Sequence, residues 1–510
     1  MVGAGPTGLT LACDLARRGV AVRLIDRLPE YPRGSRGKGL TPRTLEVLDD
    51  LGVVGAVLAS GTTHLPHRKY RGAEVISEVD PDTGREGTPG VPHPDFLMIP
   101  QWRVEQILRD RLASLGVAVE LGAELRALAQ DATGVMATVG DGAIRAGYVV
   151  GCDGGHSTVR RLLGLRLHGH TPEVELMAVG DVLVDGLGRD AWHQWFTADG
   201  GIMLCPLPGT DAFQVQASHE RGPDGEPLEP TLERFQQTFD RVACVPGVRL
   251  RELTWQSTYR VNVRMVDQLR VGRVFLAGDA AHIHPIAGGL GMNTGIQDAY
   301  NLGWKLGLVV AGAAGDSLLD TYEEERLPVA SQLLGITTEL LDAVLAAIQR
   351  PGGGVDAAAT TELTQLALAY PGSRLSATVG TVRALVAAGD RAPDGVLPGR
   401  AERLFDLFRG PHFTLLGAPV PVPGDIVRSA GRHPYGDGVQ VLVRPDGYVG
   451  LVADASDTGA VGDYARRLGL RFERSLLGQA AIGEPLVEGD RPEPGPASGS
   501  STLPTPQRSA

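Results

Sequence analysis

Residues Val271 to Leu306, VGRVFLAGDAAHIHPIAGGLGMNTGIQDAYNLGWKL, decide how the rest of the chain is read. Arg273 to Ala277 is a short apolar run bounded by glycines, the pattern of a buried strand. Gly278-Asp279 turns the chain and sets one carboxylate at the strand's carboxyl end, where ligands bind in open α/β sheets. Pro285, Gly288, Gly289 and Gly291 then fall within seven residues. Such a loop can reach positive φ and lets bare N–H groups approach a ligand. From Asn293 onward, Ile296, Ala299, Tyr300, Gly303, Leu306 and Val310 recur at helical spacing. The unit is strand, carboxylate, glycine loop and helix start, and the free N–H groups of that start favour an anionic ligand.

Its partner is the beginning of the chain, MVGAGPTGLTLACDLARRGVAVRLIDR. Gly3, Gly5 and Gly8 have the G-x-G-x-x-G spacing, Leu9 to Arg18 reads as a helix, and Val20 to Ile25 reads as a strand closing on Asp26. This is a dinucleotide fingerprint in its βαβ context, with an acid about 20 positions on for a ribose hydroxyl. A strand needs about five residues, yet only Met1 and Val2 precede Gly3. The expectation is a start assigned too far downstream, or a stub strand that weakens cofactor binding.

A third piece is Gly151-Cys152-Asp153-Gly154-Gly155-His156-Ser157-Thr158-Val159-Arg160, again a strand followed by a carboxylate. Together with Ser35-Arg36, Arg43-Thr44-Leu45-Glu46 and Ile99-Pro100-Gln101, these motifs resemble the FAD-dependent aromatic hydroxylases, the group A flavoprotein monooxygenases. The resemblance runs over roughly residues 1–480. A C-terminal segment, Gly389-Asp390-Arg391-Ala392-Pro393-Asp394 through Val441 to Gly447, is similar to that of the aromatic-polyketide and rifamycin-type tailoring hydroxylases.

The resemblance implies an α/β fold: an FAD-binding, Rossmann-like domain of the para-hydroxybenzoate-hydroxylase kind, an antiparallel-sheet substrate domain and a thioredoxin-like C-terminal domain. Its boundaries fall at 1–174 (FAD domain, first part), 175–265 (substrate sheet), 266–390 (GD motif and helices), 391–485 (C-terminal domain) and 486–510 (disordered tail). The implied cofactor-binding residues are Gly3, Gly5, Pro6, Thr7, Gly8, Asp26, Arg27, Arg36, Gln101, Leu125, Asp153, Asp279, Pro285, Gly288, Gly289, Gly291, Met292 and Asn293. Arg36 is placed toward the FAD pyrophosphate, where a guanidinium can bind bidentately, and Gln101 toward the ribityl chain. The relatives' H-x-x-P-P-x-G-G-Q-G becomes Pro285-Ile286 and Gly289-Leu290-Gly291 here, which keeps the backbone donors.

Composition excludes several classes. The formal net charge of −12 argues against nucleic-acid and anionic-membrane surfaces. No charged n-region precedes an apolar h-region, and no apolar run reads as a membrane span. Cys13, Cys152, Cys205 and Cys244 are scattered, which argues against a disulfide framework or metal cluster and fits a reducing cytoplasm. His64, His67 and His93 lack metal-ligand spacing and read as surface or pocket polar groups.

Pro42 to Leu58 and Trp102 to Leu115 read as helices, and Val117 to Gly122 and Val135 to Val139 as strands. Arg160 and Arg161 start a further helix, as solvated face or as anchor. Residues 175–260 change character. Ala178 to Val184, Ala191 to Thr197, Ile202 to Pro206 and Phe213 to His219 are alternating runs between turn clusters, an antiparallel meander. One face forms the substrate wall, with Trp192, Gln194, Trp195, Met203, Gln214 and His219 as candidates alongside His193 and Phe196. Alternation turns only half of such residues inward. Thr321 to Gln349 is a helical region whose Tyr322, Glu325, Arg326 and apolar stripe read as core or subunit contact, and another helix is expected near Thr361 to Ala369. Phe413 to Leu416 and Val439 to Val443 read as strands of the C-terminal domain, which has no cysteine and so no thiol redox role.

One dinucleotide fingerprint serves FAD, so NAD(P)H, with NADPH favoured, is expected to bind only transiently as co-substrate. The implied reaction is hydroxylation of a phenolic, polycyclic or polyketide-type substrate by O2 through a flavin C4a-hydroperoxide; no side chain is assigned as the catalytic base. Alternatives are Baeyer–Villiger insertion or epoxidation on the same scaffold, or a flavin-free binding protein. A cytoplasmic monomer or homodimer, with neither nucleic-acid nor membrane partner, completes the expectation.

Overall fold

The computed structural model describes residues 1–471 except 82–85, 171–176, 224–225, 260–261, 285–286, 351, 400 and 419–425. The predicted tail lies outside the described residues. The first helix, Pro6–Arg17, follows the strand residue Val2, which bridges in parallel to Ile25 on one side and Gly151 on the other. Val2 N–H donates to Val150 O at 2.9 Å, and Gly3 N–H to Ile25 O at 2.9 Å. Leu24–Ile25 pairs in parallel with Val119–Glu120, and Val149–Gly151 with Val274–Leu276. A minimal first strand therefore occupies the centre of a parallel, doubly wound sheet, with crossovers to either side. Leu11, Leu15, Phe275, Leu302 and Leu306 close the core on its faces.

The expected helix Pro42 to Leu58 is two, Pro42–Asp50 and Val54–Leu58. Gly52 at φ 77° ends the first: its N–H donates to Asp49 O, and Val53 N–H reaches back to Leu48 O. This is the glycine stop that an αL residue makes at a helix C-terminus. The expected helix at Thr361 to Ala369 is only a 3₁₀ turn, Thr361–Thr364, because Gln365 sits at φ 56° and its side chain is buried against Thr41 and Gln297.

The meander is one part of a seven-stranded sheet. Its order is Arg249–Tyr259, Met177–Asp185, Ala212–Ser218, Gly200–Pro206, Trp192–Thr197, His67–Arg71 and Glu74–Val79. The last two strands come from residues 61–98, where the sequence shows weak periodicity, so the sheet is not confined to 175–265. One face packs Trp195, Phe213 and Val215 against Phe235, Phe239 and Val242 of the helix Leu232–Val242. The other face is open to a cavity.

C-terminal strands Ala377–Val379, Val449–Asp454, Val439–Val443, Phe413–Leu416 and Val427–Ala430 form a mixed five-stranded sheet in that order. Its first strand precedes the expected boundary at 391. Buried charge fastens this sheet to the long helices Leu290–Val310 and Asp320–Ile348. Arg444 Nη1 meets Glu325 Oε1 at 2.6 Å, Lys305 Nζ meets Glu325 Oε2 at 2.7 Å, and Trp304 Nε1 donates to Asp446 Oδ2 at 2.9 Å. The segment 316–348 reaches a mean hydropathy of 1.4 over 18 residues, enough by length and composition for a membrane span, contrary to the sequence reading. In the fold 28% of that window is buried: Leu340 and Leu341 meet Ala358, and Val344, Leu345 and Ile348 line the cavity.

Candidate active site

Glycine chemistry builds the first wall of the cavity. Gly3 stands at φ 100°, and a Cβ there would lie 2.3 Å from Cys152 O. A Cβ on Gly8 would lie 2.0 Å from Gly3 O, so these two positions serve strand–helix packing. Gly5, in contrast, has open space where its Cβ would be and lines the cavity with Pro6 and Thr7. The first helix begins there without a side-chain cap, leaving N–H donors free.

The second wall segment is the GD turn. Gly278 sits at φ 61°, with Thr7 Oγ1 at 2.6 Å from a would-be Cβ. Its N–H donates to Asp298 Oδ2 at 3.0 Å, and Arg326 Nε holds Asp298 Oδ1 at 2.7 Å. His282 Nε2 meets the same carboxylate at 2.6 Å, and His284 Nε2 lies 3.0 Å from the other ring nitrogen of His282, while Arg326 joins the turn to the helix Asp320–Ile348. Arg326 is thus a brace under the turn, signalled only by a charge within an apolar helical stripe. Asp279 itself faces the cavity. Desolvation raises its carboxyl above the usual range, with His282 and Arg36 opposing.

Beyond the GD turn, Gly288 and Gly289 adopt φ 77° and 66°, and Gly289 caps the helix Leu290–Val310 without a side-chain bond. Gly291 and Met292 line the cavity, and nothing lies within 4 Å of a would-be Gly291 Cβ. Asn293 is fully buried and fastens the loop instead: its Oδ1 accepts Thr41 N–H at 2.9 Å, and its Nδ2 donates to Gly39 O and Gly289 O. Gln101 Oε1 accepts Gly37 N–H at 3.0 Å, and its Nε2 donates to Glu105, whose carboxyl burial pushes up to about 7. Arg36 completes this side.

Other expected cofactor residues lie off the cavity wall. Asp26 accepts Ala4 N–H of the glycine-rich turn at 2.8 Å and, in its own loop, Leu28 N–H at 2.9 Å. Arg27 is exposed, Leu125 is in the core, and Pro285 lies outside the described residues. Asp153 caps the helix Thr158–Leu162 through Ser157, Thr158 and Val159, while Cys152, Gly154, Gly155 and His156 face the cavity. Arg160 is buried and bridges Ala280 O and Gly155 O, an anchor rather than a solvated face.

Across the cavity stands the open face of the seven-stranded sheet. Of the candidates, Trp192, Phe196, Met203 and His219 line it, together with Gln216 and Trp255. Trp195 does not: strand alternation turns it to the far face, where it stacks on Tyr70 at 4.6 Å, meets Phe239 edge-on and donates Nε1–H to Gly72 O. His193 shares that face and bonds Tyr70 and Gly188. Gln194 and Gln214 point the expected way yet are covered, Gln194 by Val355 N–H and Gln214 by Lys38 and Ser35. His67, Phe96, Leu341 and Leu363 add lining that no sequence periodicity indicated. Burial lowers His67 to about 4 and His284 to about 3, so both rings are neutral at neutral pH.

The cavity holds about 1640 Å³, well above the roughly 300–1,000 Å³ of a single small-molecule site. Two helix starts, open glycines at 5 and 291, Arg36 and Gln101 give a donor set and a clearance that fit a pyrophosphate-linked dinucleotide lying beside a second, apolar compartment. The fold and cavity therefore define a dinucleotide-dependent enzyme. A family model described as an FAD binding domain matches residues 1–337. A flavin-dependent monooxygenase of Mycobacteroides abscessus is 44% identical over 476 residues, covering 90% of this chain and 97% of the relative. Pentachlorophenol 4-monooxygenase of Sphingobium chlorophenolicum is 35% identical, over 88% of this chain and 85% of its own. Aklavinone-11 hydroxylase, solved in complex with FAD and aklavinone, matches with TM-score 0.75 and 28% identity, over 92% of this chain and 98% of that one. The chain belongs to this FAD-binding-domain family and is an FAD-dependent monooxygenase.

Proposed function

We propose that the protein hydroxylates a polycyclic phenol of the aromatic-polyketide type, with NAD(P)H, NADPH favoured, as the electron source. The observation that carries this reading is the size and construction of the cavity: about 1640 Å³, with a backbone-donor wall facing an aromatic one. FAD, when bound, would supply the redox chemistry that puts one oxygen atom of O2 on the ring. The N–H groups at Gly291 and Met292, at the start of the helix Leu290–Val310, offset negative charge on a reduced ring system. Trp192, Phe196, Met203 and Trp255 hold a flat substrate and exclude water from the reacting edge. Leu341, Leu345 and Leu363 close the apolar end. Among the relatives one is named for a single-ring phenol and one for a larger substrate, aklavinone. The cavity volume favours the larger.

The test is NADPH oxidation by the FAD-loaded protein with a hydroxyanthraquinone or with phenol. The polycycle should accelerate NADPH consumption and yield a product one oxygen heavier, its position fixed by NMR. Acceleration by phenol alone would contradict the substrate class, and a ring-expanded or epoxide product would contradict hydroxylation.

A further inference from the structure

The chain has three lysines, and each is enclosed. Lys69 Nζ meets Asp356 at 2.8 Å and Lys305 Nζ meets Glu325 at 2.7 Å, ordinary buried ion pairs. Lys38 is different. Its Nζ donates to a neutral amide oxygen, Gln214 Oε1, at 2.5 Å and lies 4.2 Å from the centroid of the Trp192 ring. Both Lys38 and Trp192 line the cavity. With one N–H on Gln214, the neutral amine keeps its lone pair for a hydroxyl lying against Trp192, and the ammonium formed on protonation keeps donors for the resulting phenolate.

The surroundings are built for this. One row across the sheet carries Asp181, Gln214 and Cys205 in register, and the loop bearing Lys38 lies over it. Gln214 is fully buried and its Nε2 donates to Ser35 O; Ser35 N–H donates to Asp181 Oδ2 at 3.1 Å. Asp181 Oδ1 is buried with no hydrogen-bond partner.

Resting on the aromatic-hydroxylase reading above, we propose that Lys38 takes the proton of the substrate's phenol and holds the resulting phenolate beside Trp192. The O–H bond breaks, an N–H bond forms at Nζ, and the electron pair stays on oxygen, where it activates the ring toward oxygen transfer. After the new C–O bond forms, the ring carbon's hydrogen leaves as a proton to solvent, its electron pair passes through the ring back to the original oxygen, and Nζ returns its proton to that oxygen.

The charged neighbours agree. Burial holds the Lys38 amine below the usual lysine range, against the opposing pull of Cys205 and Asp181. Burial also pushes Asp181 up to about 7 and the Cys205 thiol up to about 11, and lowers His67 to about 4. Near neutral pH, Cys205 and His67 are uncharged, so Lys38 and Asp181 are the groups in this cluster whose charge responds to a phenolate.

The experiment uses the full-length, FAD-loaded protein and 2-hydroxyanthraquinone, whose phenolate absorbs at longer wavelength than its phenol. Difference absorbance against dye-free holoprotein gives the midpoint at which the bound hydroxyl ionises. In the wild type this midpoint should lie about one pH unit or more below that of free dye, the effect of a nearby cation. Lys38→Met and Lys38→Gln should abolish the shift while keeping the flavin band, and Lys38→Arg should restore it, since a fixed cation holds phenolate without acting as the base. For turnover, Lys38→Arg should remain slow at low pH and recover only as pH rises through its restored midpoint, where the bound dye loses its proton to solvent rather than to residue 38. Dye bound to wild type without the shift, or the same shift in both neutral variants, overturns the role of Lys38. Dye that fails to bind wild-type holoprotein overturns the aromatic-substrate reading and this proposal together.

Discussion

Along one side of the cavity, Gly5, Gly288, Gly289 and Gly291 present bare backbone at two helix starts; along the other, a sheet presents Trp192, Phe196, Met203 and Trp255. The first side binds with groups that every residue has, and its sequence requirement is the absence of side chains. The second binds with side chains, and its requirement is that alternate residues face the right way. Each side also keeps one buried carboxyl raised to about 7, Glu105 behind Gln101 and Asp181 behind Lys38. A backbone wall can be disabled by adding one carbon; a side-chain wall fails by losing one.

The largest effect is expected from a residue that belongs to neither wall. Trp195→Ala removes a ring stacked on Tyr70 and set edge-on to Phe239 in the core behind the sheet. It should cost about 3–5 kcal/mol of stability in denaturant unfolding, with flavin binding intact in what remains folded. A stability change near zero would mean that the strand faces are reversed.

Next comes the backbone wall. Gly291→Val puts a branched side chain into space that is open in the protein, so the apoprotein should melt near the wild-type temperature. Its FAD dissociation constant, measured by fluorescence titration, should rise about a hundredfold.

Trp192→Ala should act on the opposite wall alone. FAD affinity should be unchanged, while KM for the polycyclic phenol rises about tenfold. Equal effects on both ligands would erase the distinction between the walls.

The smallest effect concerns Glu105. Its carboxyl is raised in the folded protein, so the stability it confers is complete below the unfolded pKa and is lost as pH rises through about 7. Glu105→Gln should therefore gain about 1 kcal/mol on the wild type between pH 6 and pH 8. Parallel stability curves for the two proteins would remove the raised carboxyl from the account.

The two walls also differ in what the sequence disclosed. Gly3, Gly5, Gly8, Gly278-Asp279 and Gly288 to Gly291 stood out because positive φ and close approach admit few other residues, and they place the cofactor side. The same spacing could not separate their jobs: Gly3 and Gly8 pack backbone, Gly5 and Gly291 open onto the cavity, and Asp153 and Asn293 secure local structure. The meander's strands were legible from alternation, but a period of two marks two faces without saying which is inside. Trp192 and Trp195 differ by three positions, and so by face. The strands His67–Arg71 and Glu74–Val79 were hidden because HRKYR and EVISEV carry mixed polarity, the second of them at the sheet's edge. Arg326, Arg444 and Lys38 act through partners 28, 119 and 176 positions away, separations that no local pattern encodes.

The most direct test of the central claim, that FAD lies on the glycine wall and the substrate on the sheet, is the visible spectrum of wild type, Gly291→Val and Trp192→Ala after desalting. The account predicts flavin bands in wild type and Trp192→Ala, and a folded, colourless Gly291→Val. Flavin retained at wild-type level by Gly291→Val, or lost from Trp192→Ala, would contradict it.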